Sequence, residues 1–263
     1  MDKVQEQVCL YLMTPWSLAT REEAALILQL WEELLPAYLP EKWGNWEPID
    51  RVFDLNRRNE ILDQWDNPFL AKRSKPRMES HLFTRRGKNP PHATWSFDFR
   101  SGEVDVAVLS RFLCTACERL GADLGLLTLL TPEEIARGRQ ADTVLVLDKK
   151  ATRFGFSMTT HQIKKYLPDL YWLTVFGPPY VQMFGLEKLL AAPTFKRERI
   201  GEQTVALQLT PDLYDMRRPD EFQEVRAQIK TLLGEQAFFR GSQMGEYLRP
   251  HFALGEVKYE PQS

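Results

Sequence analysis

The sequence predicts an α+β fold of two tandem ferredoxin-like βαββαβ units, each an antiparallel sheet with helices packed on one face. Short apolar runs of strand character alternate with amphipathic stretches of helical period in the order β, α, β, β, α, β, and the order then begins again. In each round the two middle strands are separated by hairpin chemistry, RRGKNPP in the first and a turn about Gly201 in the second. The second round opens on the most heavily punctuated stretch of the chain, LYWLTVFGPPYVQMFG from Leu170 to Gly185.

The first unit covers residues 1–130. Val8 to Met13 reads as a strand ended by Thr14 and Pro15. Thr20 and Glu23 form a capping box, after which Ala24, Ile27, Leu28, Trp31, Leu34 and Leu35 make one apolar stripe that stops at Pro36. Residues 41–68 have turn chemistry around Trp43 and Trp46 and at most a short helix before Trp65; these tryptophans seal the end of a core or form an aromatic contact patch. Strands follow over Ser80 to Thr84 and His92 to Arg100, where Trp95, Phe97 and Phe99 alternate with polar residues. A helix over Glu103 to Leu120 ends at Gly121, and Leu124 to Leu130 closes the unit as a strand.

Residues 131–168 read as a connecting segment with a capped helix, since Thr131 and Glu134 bracket Pro132, and with one more apolar run, TVLVL. The second unit covers 169–240. Leu170 to Phe176 is apolar enough for a strand buried on both faces. Gly177, Pro178 and Pro179 stop it, because two prolines fix φ and remove two donors. A helix is expected from about Tyr180 to Leu190, with Pro193 beyond it. A hairpin of Phe195 to Ile200 and Thr204 to Leu209 follows, then a helix opened by Pro219 with Phe222, Val225, Ile229 and Leu232 on one side. Ala237 to Phe239 stands where the sixth element belongs, and 241–263 reads as a tail. The same elements are also compatible with one continuous compact domain.

At 263 residues, 43% hydrophobic and 27% charged, the chain has the material for one large core or two ordinary ones, and a folded globular protein is expected. A net charge of −2 gives no general attraction to nucleic acid or membrane. No apolar stretch reaches the length of a membrane helix, and three cysteines are too few for a disulfide framework, so a cytoplasmic protein is expected.

Assembled catalytic motifs are missing from the sequence. Cys114 and Cys117 form CTAC near the end of a helix, where the dipole does not favour a thiolate, and no second pair completes a zinc site. The four histidines are isolated. Asp148 and Lys150 follow the TVLVL run as the acid and lysine of a metal-dependent nuclease would, with Asp142 as the preceding acid, and Glu256 with Lys258 repeats the spacing. Between Lys72 and Lys88 seven basic residues face Glu79 alone, a charge excess suited to phosphate or an acidic protein surface.

FGPPYVQMFGLEKLLAAPTF and the following TVALQLTPDL resemble a pattern of bacterial immunity proteins paired with polymorphic or type VI secreted toxins, over about Asp169 to Leu213. The resemblance implies an α+β protein without catalysis or cofactor that binds and blocks a cognate toxin. It carries over Gly177, Pro179, Tyr180, Gly185 and Pro193, which with Pro178 read as fold-defining. The near-neutral charge departs from the strongly acidic character of nuclease antitoxins, which leaves the class of toxin open. The expectation is therefore a protein-binding module with contacts at Trp43, Trp46, Arg85, Arg86 and Tyr180 and no metal; the alternative is a nuclease using Asp148 and Lys150.

Overall fold

The computed structural model describes residues 4–85, 92–241 and 246–252. Its strands are β1 (Gln7–Thr14), β2 (Lys42–Gly44), β3 (Arg51–Val52), β4 (Phe69–Arg73), β5 (Met78–Phe83), β6 (Ala93–Arg100), β7 (Leu124–Leu130), β8 (Val144–Val146), β9 (Phe154–Phe156), β10 (Leu173–Phe176), β11 (Lys196–Gly201) and β12 (Thr204–Gln208). The helices are α1 (Arg21–Leu34), α2 (Arg58–Asp63), α3 (Val106–Arg119), α4 (Pro132–Gln140), α5 (Thr160–Ile163), α6 (Pro178–Phe184), α7 (Leu186–Leu190) and α8 (Pro219–Leu233). Ten strands form one sheet in the order β11-β12-β10-β7-β1-β6-β5-β4-β2-β3, antiparallel at each pairing, and β8 with β9 makes a separate hairpin.

The α+β class and the antiparallel pairing are those expected; two units with a sheet each are not. The order β7-β1-β6-β5 is complete in the first half, but β10 pairs with β7, Leu173 opposite Leu127 and Phe176 opposite Leu124. The stretch expected to supply the last strand of the second half is a single 3-10 turn, Glu235–Ala237, with one isolated bridge between Leu167 and Phe238. An edge of β10 was thus open, and β7, whose seven residues are all buried, would otherwise have left its own backbone groups unpaired. Joining the two satisfies both edges and makes one core that runs from Val8 to Phe252.

The sheet is covered on both faces, not on one. On the side of Leu10 and Leu12, Trp31 of α1 meets Trp95 and Phe97 at 5.6 and 5.3 Å, and Phe112 of α3 meets the same rings at 5.3 and 5.5 Å. The capping box at Thr20 and an Asp105 carboxylate accepting from the Ala107 and Val108 amides start these two helices. On the opposite side Tyr11 lies edge-on to Phe156 of β9 at 5.6 Å and donates its hydroxyl to the Met158 carbonyl at 2.6 Å. The segment 131–168, which links β7 to β10, is therefore also a covering layer: every residue of β1 is buried, so its second face also needs apolar contact.

Gly177 to Gly185 shapes the second half. Gly177 is the N-cap of α6, with Pro178 and Pro179 in its first turn, so the helix begins two residues before Tyr180. Gly185 has φ +87°, which ends α6 and lets α7 start in a new direction; the single helix expected from Tyr180 to Leu190 is thus two, and Pro193 follows the end of the second. Phe176 packs on Tyr180 and Phe184 at 5.7 and 5.6 Å, which holds α6 on the Tyr11 side of the sheet. The described part of the tail is docked: the Leu248 amide donates to Gln236 at 2.9 Å, and Phe252 sits edge-on to His92 at 4.7 Å.

Candidate functional site

Four of the five expected contact residues lie within the described chain, and three of them are interior. Trp43 is 3% exposed, stacked on Phe69 at 5.4 Å with the Arg51 guanidinium over its ring. Trp65 stacks on Phe69 as well, at 4.2 Å, and donates its indole N–H to the Leu18 carbonyl, so these rings seal the core. Tyr180 has no exposed surface, and its hydroxyl has no hydrogen-bond partner among the described residues. Arg85 is 3% exposed; its amide donates to Ser17, and burial lowers its pKa against the pull of Glu23. A side chain without surface makes no protein contact, so Trp43, Arg85 and Tyr180 are corrected to interior positions. Arg86 lies outside the described residues. Trp46 alone projects, 75% exposed in the loop between β2 and β3.

The basic stretch is also partly consumed. Arg73 donates to the Leu39 carbonyl at 2.9 Å, and Arg77 pairs with Glu79 at 2.9 Å.

The expected nuclease acid is engaged within its own turn. The Asp148 carboxylate accepts from the Thr152 hydroxyl at 2.5 Å and from the Thr152 and Arg153 amides at 2.8 and 3.1 Å, contacts that lower its pKa. It closes its own turn, and Lys150 stands exposed beside it. Among the described residues no group of three His, Cys, Asp or Glu side chains is placed to hold a metal; Glu256 and Lys258 lie outside them. Burial pushes the Cys114 thiol up to about 11 and Cys117 well above its usual range, the reverse of an activated thiolate.

Three buried polar centres were not anticipated. The first joins His92, at the start of β6, to Asp123 through Nε2 at 2.8 Å and to the Thr160 hydroxyl through Nδ1 at 3.0 Å. These residues are far apart in the chain, and no spacing rule links them.

The second centre is Arg226 on α8. Its Nη1 and Nη2 each donate to Glu134 at 2.9 Å, Nη1 also reaches Asp169 at 3.1 Å, and Lys230 pairs with Asp169. Burial opposes the Arg226 charge, but Asp169 and Glu134 outweigh it and raise its pKa. A sequence signal for it existed. The buried line of α8 is Phe222, Arg226, Ile229 and Leu233, at spacings of four, three and four, so Arg226 occupies a core position of the helix. A stripe drawn through Val225 and Leu232 hides it.

The third centre pairs Cys9 with Asp98 across β1 and β6, the thiol donating to Oδ1 at 3.0 Å. Burial pushes the Asp98 carboxyl up to about 6 from 3.8. A raised folded-state pKa means that the folded protein binds the extra proton between these values, so stability falls as pH rises from about 4 to about 6. At neutral pH the penalty is on the order of 3 kcal/mol. Asp98→Asn keeps an acceptor for Cys9 and carries no charge. Its urea midpoint is expected to exceed that of the parent at pH 8 and to converge with it near pH 4; a midpoint lower than the parent at both pH values would remove Asp98 as the cause.

The two edges of the sheet differ. β11 ends one side with Lys196, Arg197, Glu198 and Arg199 all exposed, the charged pattern that discourages strand addition. β3 ends the other with two residues, and its Val52 is 68% exposed, on the same β2–β3 hairpin as Trp46. No protein-family model matches this chain, and no curated protein matches it.

Proposed function

We propose that this chain is a non-catalytic protein-binding module, an immunity protein that occupies and neutralises a cognate bacterial toxin, and that it meets the toxin at the β2–β3 end of its sheet. The exposure of Trp46 carries the reading. A tryptophan left three-quarters in water, on the same β2–β3 hairpin as an exposed Val52 at the shorter edge of the sheet, is the kind of anchor that dominates binding energy once a partner covers it. The locked state of Asp148 and the raised thiol pKa values of Cys114 and Cys117 support a role by contact in place of reaction. The partner class rests on the resemblance of the stretch from Asp169 to Leu213 to toxin-paired immunity proteins. An interface of about 800 Å² on this side is ample for Trp46, Val52 and Arg51 with a polar rim.

The test is a toxin encoded next to this chain, produced with it and examined for a stable complex and for loss of toxicity. Trp46→Ala is expected to weaken that complex about 30-fold, the effect of a hot-spot aromatic, with no change in thermal midpoint. Trp43→Ala is expected to do the reverse, lowering stability by about 3 kcal/mol through a cavity beside Phe69. A complex indifferent to Trp46→Ala moves the interface elsewhere; no complex and undiminished toxicity end the immunity reading.

A further inference from the structure

We infer that the cavity between α4, α8 and the β8–β9 hairpin binds a small organic anion, a phosphate or carboxylate group carried on an apolar body about the size of one ring. The cavity holds about 300 Å³, at the small end of ligand-sized pockets. Phe156, Tyr171 and Phe239 supply aromatic wall, while Arg137, Lys230 and Arg240 bring cations to the same space.

The charge of the ligand follows from what is already paired. Two acids line the cavity, Glu134 and Asp169. Both Glu134 oxygens accept from Arg226 behind them, and Asp169 accepts from Arg226 and Lys230, so these two anions and two cations cancel. Arg137 and Arg240 remain. Arg137 lies 3.8 Å from a Glu134 oxygen that Arg226 already holds, with its side chain 45% exposed. Among the described residues Arg240 donates to a backbone carbonyl, that of Glu246, and stacks on Tyr247. Two guanidinium groups in excess favour an anion, and their planar forks suit a phosphate or carboxylate. The Tyr171 hydroxyl, kept protonated by burial and by Asp169 and Glu134, adds a neutral donor. The aromatic wall offers nothing to a bare inorganic ion, which is why the ligand has an apolar part.

Binding is measured on the full chain by calorimetry with four probes: phenyl phosphate, benzoate, inorganic phosphate and benzyl alcohol. Phenyl phosphate or benzoate is expected to saturate one site, inorganic phosphate to bind at least about tenfold more weakly, and benzyl alcohol to give no saturable signal. Which of the first two is tighter tells phosphate from carboxylate recognition. Arg137→Gln and Arg240→Gln are each expected to weaken binding about tenfold, the loss of one charge-assisted contact, with the thermal midpoint of Arg137→Gln unchanged because that arginine is exposed. Absence of saturable binding by either aromatic anion, or a double variant that binds as well as the parent, overturns the inference. Neither result bears on the toxin complex, which is judged at Trp46.

Discussion

Gly177→Ala is expected to destabilise the protein by at least about 3 kcal/mol, a large share of the 5–15 kcal/mol that holds a typical domain together. A Cβ at this position would lie 2.0 Å from the Ala122 carbonyl oxygen and 2.8 Å from the Asp123 Cα. Both are backbone atoms just before β7, and the Gly177 amide donates to the Asp123 carbonyl at 2.9 Å, so neither segment can withdraw without breaking the junction between β7 and β10. The cost is one of space and not of dihedral angle, since φ here is −86°. Gly185→Ala provides the comparison. Its Cβ would meet nothing within 4 Å, and only backbone strain opposes it, φ +87° with ψ 133° lying outside the left-handed helical basin, so a loss of about 1–2 kcal/mol is expected. Urea midpoints of the two variants decide the matter: equal losses would show that close approach at Gly177 is not the constraint.

The second large effect belongs to Arg226. Arg226→Met is expected to cost about 3–5 kcal/mol at neutral pH, because it leaves Glu134 and Asp169 buried with Lys230 as their remaining close cation apart from the half-exposed Arg137. The pH dependence gives the signature. In the parent, burial raises the Asp169 pKa but Arg226 and Lys230 outweigh it, so the carboxyl titrates below 3.8; its contribution is present above that value and lost as pH falls further. Without Arg226 the burial effect on Asp169 gains ground, its protonated form is favoured, and stability rises as pH falls toward 4. The gap between variant and parent should therefore be widest near pH 7 and narrow in acid. A gap independent of pH would assign the loss to packing alone. Glu134→Gln combined with Arg226→Met is expected to recover part of it, since the pair is then removed together.

Several elements were legible because their signals are local. Thr20 and Glu23 start α1, the alternation of Trp95, Phe97 and Phe99 makes β6, and Pro178 with Pro179 opens α6, each through chemistry confined to a few neighbouring residues. The short β2 and β3 were not legible, because each pairs with strands whose identity depends on the register of the sheet as a whole. Exposure was the weakest point. Trp43 and Trp46 stand three residues apart in one turn-rich stretch, yet the first stacks on Phe69 and the second faces water, a difference that local composition does not contain.

By itself the sequence determined an α+β chain with antiparallel strands, the positions of most helices and strands, and the hard turn at Gly177 to Pro179. Tertiary structure alone decided that β10 would pair with β7 to make a single sheet, that 131–168 would cover its second face, and that Arg226 would meet Glu134 and Asp169. Caps, turns and periodicity act over a few residues, so they can be read along the chain. Edge pairing, burial and buried ion pairs join residues far apart in the chain, Arg226 and Glu134 by 92 positions and Tyr11 and Met158 by 147, and their energy exists only once those segments are in contact.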